Sequence, residues 1–269
     1  MLKLRTIRYN AVIWVLYLTS GWTNHSVAES LVVAYNHDWA PYSYLSESGN
    51  LQGILPHLTD RLIEEANAGL KVTKVGLPWN RVQQTVLRNQ ADAFITFASE
   101  ERLQFADTIG PVFYALEQHP VTRLEDARAA DDIIQSGMGR YCRMQGDNWS
   151  EEFYRALSIT AFAAKDSRAC LNLLDLNRAD VFVHPRPIVR IRLEQMGLQN
   201  RLIQSSRPVG DMPFHLLVNR SSNERLSPTL TQVAETLARL RSQGIWLEWI
   251  KNTEETEIKR CLEENRRRC

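Results

Sequence analysis

The feature that most narrows what this chain can fold into is an alternation. From Ser30 it passes from the strand-like "SLVVAYN" to the helix-like "LPHLTDRLIEEANAG", then to "KVTKVGLP", "WNRVQQTVLRNQ" and "ADAFITF". Short apolar runs separated by segments of helical period are the pattern of an α/β fold with a largely parallel sheet. In the first helical segment Leu55, Leu58, Leu62 and Ile63 share one face and Asp60, Arg61, Glu64 and Glu65 the other, with Gly69 placed to stop it. The pattern returns in "GRYCRM", "NWSEEFYRAL", "DSRACLNLLDLNR", "ADVFVHP" and "PIVRIRLEQMG". Two such series, joined through "GPVFYALEQHPVTR" and again near "SSRPVGDMPFHLLVN", predict two lobes connected by two crossings. Residues 29–112 with 213–252 would form the first lobe and 113–212 the second. An amphipathic "LSPTLTQVAETLARLRSQG" and "IWLEWIKN" close the folded part, which leaves 253–269 as a charged tail.

The N-terminus reads differently. "MLKLRTIRYN" is basic, "AVIWVLYLTSGW" is apolar, and "SVA" ending at Ala28 offers small residues for cleavage. This is the pattern of a secretory signal peptide over 1–28, with an uncleaved N-terminal anchor as the other reading. Export to the periplasm is the expectation. Cleavage would remove Lys3, Arg5 and Arg8 and no acid, taking the formal charge from +1 to −2. Neither value suits a polyanion partner. A nucleic-acid binder needs a basic stripe with reading elements, and the one dense basic run here is Arg266 to Arg268 at the end of the chain.

All four cysteines, Cys142, Cys170, Cys261 and Cys269, follow the cleavage point, and an exported protein meets an oxidising compartment. Of the three possible pairings we prefer Cys142–Cys170 with Cys261–Cys269, which keeps each bond local. A zinc site competes, but no Cys-x-x-Cys pair and no suitably spaced histidine accompany these residues. No cofactor or metal is expected.

The loop after the first strand, "DWAPYSY", puts Trp39, Tyr42, Tyr44 and a proline into seven residues. Aromatic residues in a connection are either the lid of a core or a surface held for a partner. Further features follow in order: Gly49 to Gly53, Trp79 in "LPWNR", the pair Asp92–Ala93 opening a strand, and Ser99-Glu-Glu-Arg102 shortly before "FADT". As an ordered set they resemble the extracellular solute-binding proteins of family 3, the periplasmic receptors of polar amino-acid transporters. The resemblance covers most of the chain after residue 28 and is strongest from Leu31 to Tyr114.

The resemblance implies a two-lobed periplasmic-binding-protein fold of type 2: two mixed sheets flanked by helices, joined by a two-strand hinge. A small solute would sit in the cleft between the lobes. It implies Trp39 as an aromatic wall, with Tyr42 beside it as a weaker contact that could equally pack into the lobe. Trp79 would be a second wall or a core residue capping a helix. Arg102 would grip a carboxylate through two parallel hydrogen bonds, unless it merely pairs with Glu100 or Glu101 on the surface. The stretch from Asp92 to Arg102 is two residues shorter than the family pattern, which bears on contacts from Thr96. In the second lobe Gly146, Asp147 and Asn148 resemble the loop that supplies amide donors, or a plain capped helix start. The family position of an ammonium-binding aspartate holds Pro185, preceded by His184, which could bond a ligand or be structural. Asp211 could reach the cleft or serve a turn.

No Gly-x-Ser-x-Gly elbow, His-Glu-x-x-His pair or phosphate-cradling glycine loop is present. The expectation is therefore a monomeric, non-enzymatic receptor that passes its solute to a membrane ABC permease. A sensing module for a membrane signalling partner, and a dehydratase-like enzyme on the same fold, are the alternatives.

Overall fold

The computed structural model describes residues 29–263 apart from Glu47, 127–133, Gln135 and Gly146. The expected signal peptide, Gly146 and Cys269 lie outside the described residues. The first half of the chain runs β1 (Ser30–Asn36), β2 (Asp38–Trp39), β3 (Ser43–Leu45), β4 (Leu51–Gln52), α1 (Ile54–Ala66), β5 (Lys71–Leu77), α2 (Trp79–Leu87), β6 (Ala93–Phe97), α3 (Glu100–Leu103) and β7 (Ala106–Arg123). The second half supplies β8 (Tyr141–Met144), α4 (Asn148–Ala156), β9 (Ala161–Ala164), α5 (Ser167–Asp175), β10 (Val181–Pro185), α6 (Arg186–Met196) and β11 (Leu202–Gln204). The chain then returns through β12 (Gly210–Asn219), α7 (Arg220–Ser242) and α8 (Ile245–Glu263).

The strands lie in the order β5-β1-β6-β12-β7-β10-β8-β9, with β11 on β7, and β2-β3-β4 form a small separate sheet. β1 pairs in parallel with β5 and β6, and β8 in parallel with β10 and β9. β7 and β12 are antiparallel to their neighbours and run through both halves, so the two mixed sheets join into one hydrogen-bonded path. Their mutual register breaks at the junction: Phe214 pairs with Tyr114, but Leu216 pairs with Ile109. Gly110 sits inside this slip at φ 73°, and a Cβ there would stand 3.1 Å from the Cα of Ala234. The extra residues of the slip all lie in β7, since β12 keeps its regular register with β6 through Phe214 to Leu216, so one of the two crossings is bulged where the halves meet.

The amphipathic pattern of α1 is realised. Ile54, Leu55, Leu58, Leu62, Ile63 and Ala66 are buried, and the helix ends at Asn67 in the left-handed region, two residues before Gly69. Leu226, Leu230, Val233, Leu237 and Leu240 of α7 complete the same core with Trp246. Asp92 ties this half together: its Oδ2 accepts from Val32 N at 2.7 Å, and its Oδ1 from Ser222 Oγ and Arg225 Nη2, each at 2.6 Å. In the second half Cys142 of β8 and Cys170 of α5 are disulfide-bonded, with their Cα atoms 5.7 Å apart, among Leu171, Leu174, Phe182 and Val189. α5 is capped by Asp166, whose Oδ1 accepts from Ala169 N at 2.9 Å. Cys261 also takes part in a disulfide and is fully buried.

One expectation fails. Residues 253–263 are not a tail but the second half of α8. Thr253, Glu257, Ile258 and Cys261 are buried there at helical spacing. Glu257, 1% exposed, accepts from Tyr44 Oη at 2.9 Å and from Arg260 Nη1 at 2.6 Å. Ile258 and Cys261 pack with Ala40 and Tyr44 of the first half and with Ile191 of α6 in the second. The charged composition of the segment suggests a tail, but the hydrogen bonds that Tyr44 and Arg260 donate to the Glu257 carboxylate offset the cost of burying it.

Candidate functional site

A cleft of about 790 Å³ opens between the halves. One wall comes from the loop after β1, α2 and the end of β6 with α3; the other comes from the ends of β8 and β10 and the start of α4. Ligands of α/β sheets gather at such strand ends, where loops and helix starts supply the polar groups.

Trp39 lines the cleft, its ring 4.4 Å from that of Tyr42 and 5.7 Å from that of Phe214, which also lines it. Tyr42 does not reach the cleft. It lies behind Trp39 at 0% exposure, edge-on to Tyr114 at 5.7 Å, and burial raises its phenol well above the ordinary tyrosine range. The contact expected of it therefore falls, and the packing reading stands. Gly53 is fixed by the same loop, since a Cβ would meet Tyr42 O at 2.6 Å. Trp79, at the first position of α2, is 37% exposed and lines the cleft, so it is no core cap.

Arg102 is held from three sides. Ser99 Oγ caps α3 by accepting from Arg102 N at 3.4 Å, Nη1 donates to Phe97 O at 2.8 Å, and Nε donates to Gln83 Oε1 at 3.3 Å. Its guanidinium stands 5.3 Å from the centre of the Trp79 ring. It forms no ion pair with Glu100 or Glu101 among the described residues; Gln83 instead passes its amide hydrogen to Glu101 Oε1 at 2.8 Å. Partial burial lowers its pKa from the ordinary arginine value, but a guanidinium keeps its charge. Nη2 makes no hydrogen bond among the described residues, and Arg102 lines the cleft. Gln83 was missed in the sequence, though it sits one turn after Trp79 on the same face of α2.

Thr96 lines the floor at 3% exposure. In the second half Asp147 lines the cleft and caps α4, its Oδ1 accepting from Ser150 N at 3.3 Å. Asn148 opens α4; the structure describes nothing of its side chain. Trp149 anchors this helix start on the crossing strand, its Nε1 donating to Asp211 O at 3.1 Å, with Gly210 leaving room for the ring. Asp211 thus contributes its carbonyl, and its carboxylate does not line the cleft. His184 lines the cleft at 5% exposure, its ring stacked at 4.9 Å on Phe182. Neither ring nitrogen has a hydrogen-bond partner among the described residues. Burial, with Arg192 nearby, lowers its pKa to about 3, so it is neutral at ordinary pH. Among the described residues no cluster of metal-ligating side chains occurs, and no helix is long and apolar enough to cross a membrane.

Residues 31–252 match the model of the bacterial extracellular solute-binding proteins, family 3, and the chain belongs to that family. No curated protein matches it in sequence. Among solved structures it is similar to the probable amino-acid ABC transporter extracellular-binding protein ytmK of Bacillus subtilis, with TM-score 0.66 and 12% identity over 84% of this chain and 98% of that one. The L-cystine solute receptor of Neisseria gonorrhoeae, unliganded and open, gives 0.63 and 17% over 86% and 95%. A histidine kinase sensor domain with similarity to periplasmic binding proteins gives 0.60 and 19% over 83% and 95%. At these identities the likeness concerns the fold, the two-lobed periplasmic-binding-protein architecture.

Proposed function

We propose that this protein is a non-enzymatic solute receptor of the periplasm. It closes its two lobes, 29–112 with 213–252 and 113–212, over a small polar solute that carries a carboxylate, and it delivers the solute as a monomer to a membrane ABC permease. The observation that carries the reading is Arg102: a half-buried guanidinium, positioned by Phe97 O and Gln83 and facing a cleft walled by Trp39 and Trp79. A carboxylate there gains charge-assisted hydrogen bonds in a partly desolvated site, and contacts to both lobes favour the closed state.

A thermal-shift panel of amino acids, organic acids and amines on the protein lacking residues 1–28 tests it. Carboxylates that fit should raise the unfolding temperature, and Arg102→Ala should weaken them about 10- to 100-fold, the worth of one or two hydrogen bonds to a charged group. Unchanged affinity in a folded Arg102→Ala variant refutes the role of Arg102. A panel that yields turnover to product instead of binding refutes the receptor reading.

A further inference from the structure

Residues 253–263 lie beyond the family match, which ends at 252, yet they are the part of α8 that reaches the second half. At 19 residues α8 is a rod about 28 Å long. Its first turns belong to the first half. Trp246 is 1% exposed, packs edge-on to Phe113 at 5.1 Å and donates from Nε1 to Phe113 O at 2.7 Å, and Trp249 and Ile250 lie on the same core. That carbonyl sits in the bulge of β7, where Val112 O accepts from Arg241 Nη1 at 2.8 Å. Midway along the helix, Glu254 accepts from Tyr114 Oη on the crossing strand. At its far end Ile258 and Cys261 pack with Ala40, Tyr44 and Ile191.

The far contact is separate from the second half's own core. On α6, Val189 and Leu193 pack into that core with Phe182 and Leu171, whereas Ile191, 1% exposed, packs in the group that α8 closes. Any change in the angle between the halves therefore drags Ile191 across Ile258 and Cys261, because α8 is anchored on one half and α6 on the other. The angle in the structure is a wide one. Glu100, Glu101 and Glu152 stand exposed at the two rims, Trp79 is 37% exposed, and a cleft of about 790 Å³ matches the sites of drug-sized molecules rather than of a small polar solute.

We propose that α8 is a strut across the junction: its residues 253–263 hold the two halves at the open angle by gripping Ile191, so that closure over a solute must displace that contact. The proposal rests on the receptor reading above for what closure serves, and it adds a device that sets how tightly any solute binds. A receptor whose closed state is harder to reach shows a weaker apparent affinity, in proportion to the fraction of molecules able to close. Loosening the strut therefore raises affinity without touching a residue of the cleft.

Spin labels on Arg88→Cys in the first half and Arg155→Cys in the second, both exposed positions, read the angle as a distance in the protein lacking residues 1–28, with no solute present. The labelled parent should give one long distance. Ile191→Ala and Ile258→Ala cut the same contact from either side, and each should add a shorter population. Leu230→Ala, a deletion in the α7 face of the first half's core, should lower stability and leave the distance unchanged. Unchanged distances in both isoleucine variants, or a shorter population in Leu230→Ala as well, overturn the strut. With amino acids and organic acids as probes, any that bind the parent should bind both isoleucine variants about threefold or more tightly; equal or weaker binding of every such probe overturns the proposal too. No binding by any probe, with the shorter population present, refutes the receptor reading and leaves the strut standing.

Discussion

Replacing Asp92 by alanine tests how the first lobe is closed. Asp92 is 9% exposed, and its carboxylate joins two elements distant in sequence: β1 through Val32, and α7 through Ser222 and Arg225. Alanine strands the Val32 amide, worth about 1–3 kcal/mol when a buried donor is left unpaired. It also removes the Ser222 bond to a charged acceptor, about 1.5 kcal/mol or more. The Arg225 pair adds less than about 1 kcal/mol, because that side chain is 51% exposed and screened by water. The sum is about 3–4 kcal/mol, roughly 10 °C in unfolding temperature for a chain of this size. Asp92→Asn keeps an acceptor for Val32 N and should lose about half as much. Differential scanning calorimetry and urea melts of both variants are the assay. A loss below about 1 kcal/mol for alanine, or equal losses for the two, would refute the network.

Two further outcomes follow from the second lobe. Converting both Cys142 and Cys170 to alanine opens a loop of sequence separation 28 and should cost about 3–4 kcal/mol, read by denaturant unfolding; intact-mass analysis after alkylation without reductant should find neither thiol free in the wild type, and labelled thiols would contradict the bond. His184 gives a pH dependence. Its folded pKa of about 3 lies below the unfolded 6.5, so its contribution is present above pH 6.5 and is lost as pH falls toward 3. The slope is at most about 1.4 kcal/mol per pH unit in that window. His184→Phe should therefore lose less stability than the wild type between pH 6.5 and 4; identical slopes would mean the ring is hydrated.

How much of this was legible follows from which interactions are local. The α1 stripe, the Asp166 cap and the Cys142–Cys170 pair are matters of periodicity or of neighbouring elements, and the sequence displays both. The place of Trp39 and Arg102 at the cleft was legible through motif order. Tyr42 was not, because an aromatic loop reads the same whether a ring faces the cleft or the core behind it; what separates them is Tyr114, 72 residues away, closing over Tyr42 edge-on. Gln83 and the partnerless state of His184 depend likewise on which elements meet, and no spacing reports that.

The C-terminal helix shows why such a miss bears on function. Tyr44 belongs to the loop that carries Trp39, and its hydroxyl donates to Glu257 while Tyr114, on the crossing strand β7, donates to Glu254. Burial raises the Glu254 carboxyl above the ordinary glutamate range, as expected of an acid held against tyrosines rather than cations. The stripe of α8 that reads as a charged tail therefore braces the back of the aromatic loop whose front lines the cleft. Because Ile258 and Cys261 also pack with Ile191 of the second half, the brace spans the junction between the two halves. A stretch whose composition reads as a charged tail thus backs one wall of the cleft and lies against the other lobe, with Glu257 buried and Glu254 half-buried because the tyrosines they meet come from elements far away in the sequence.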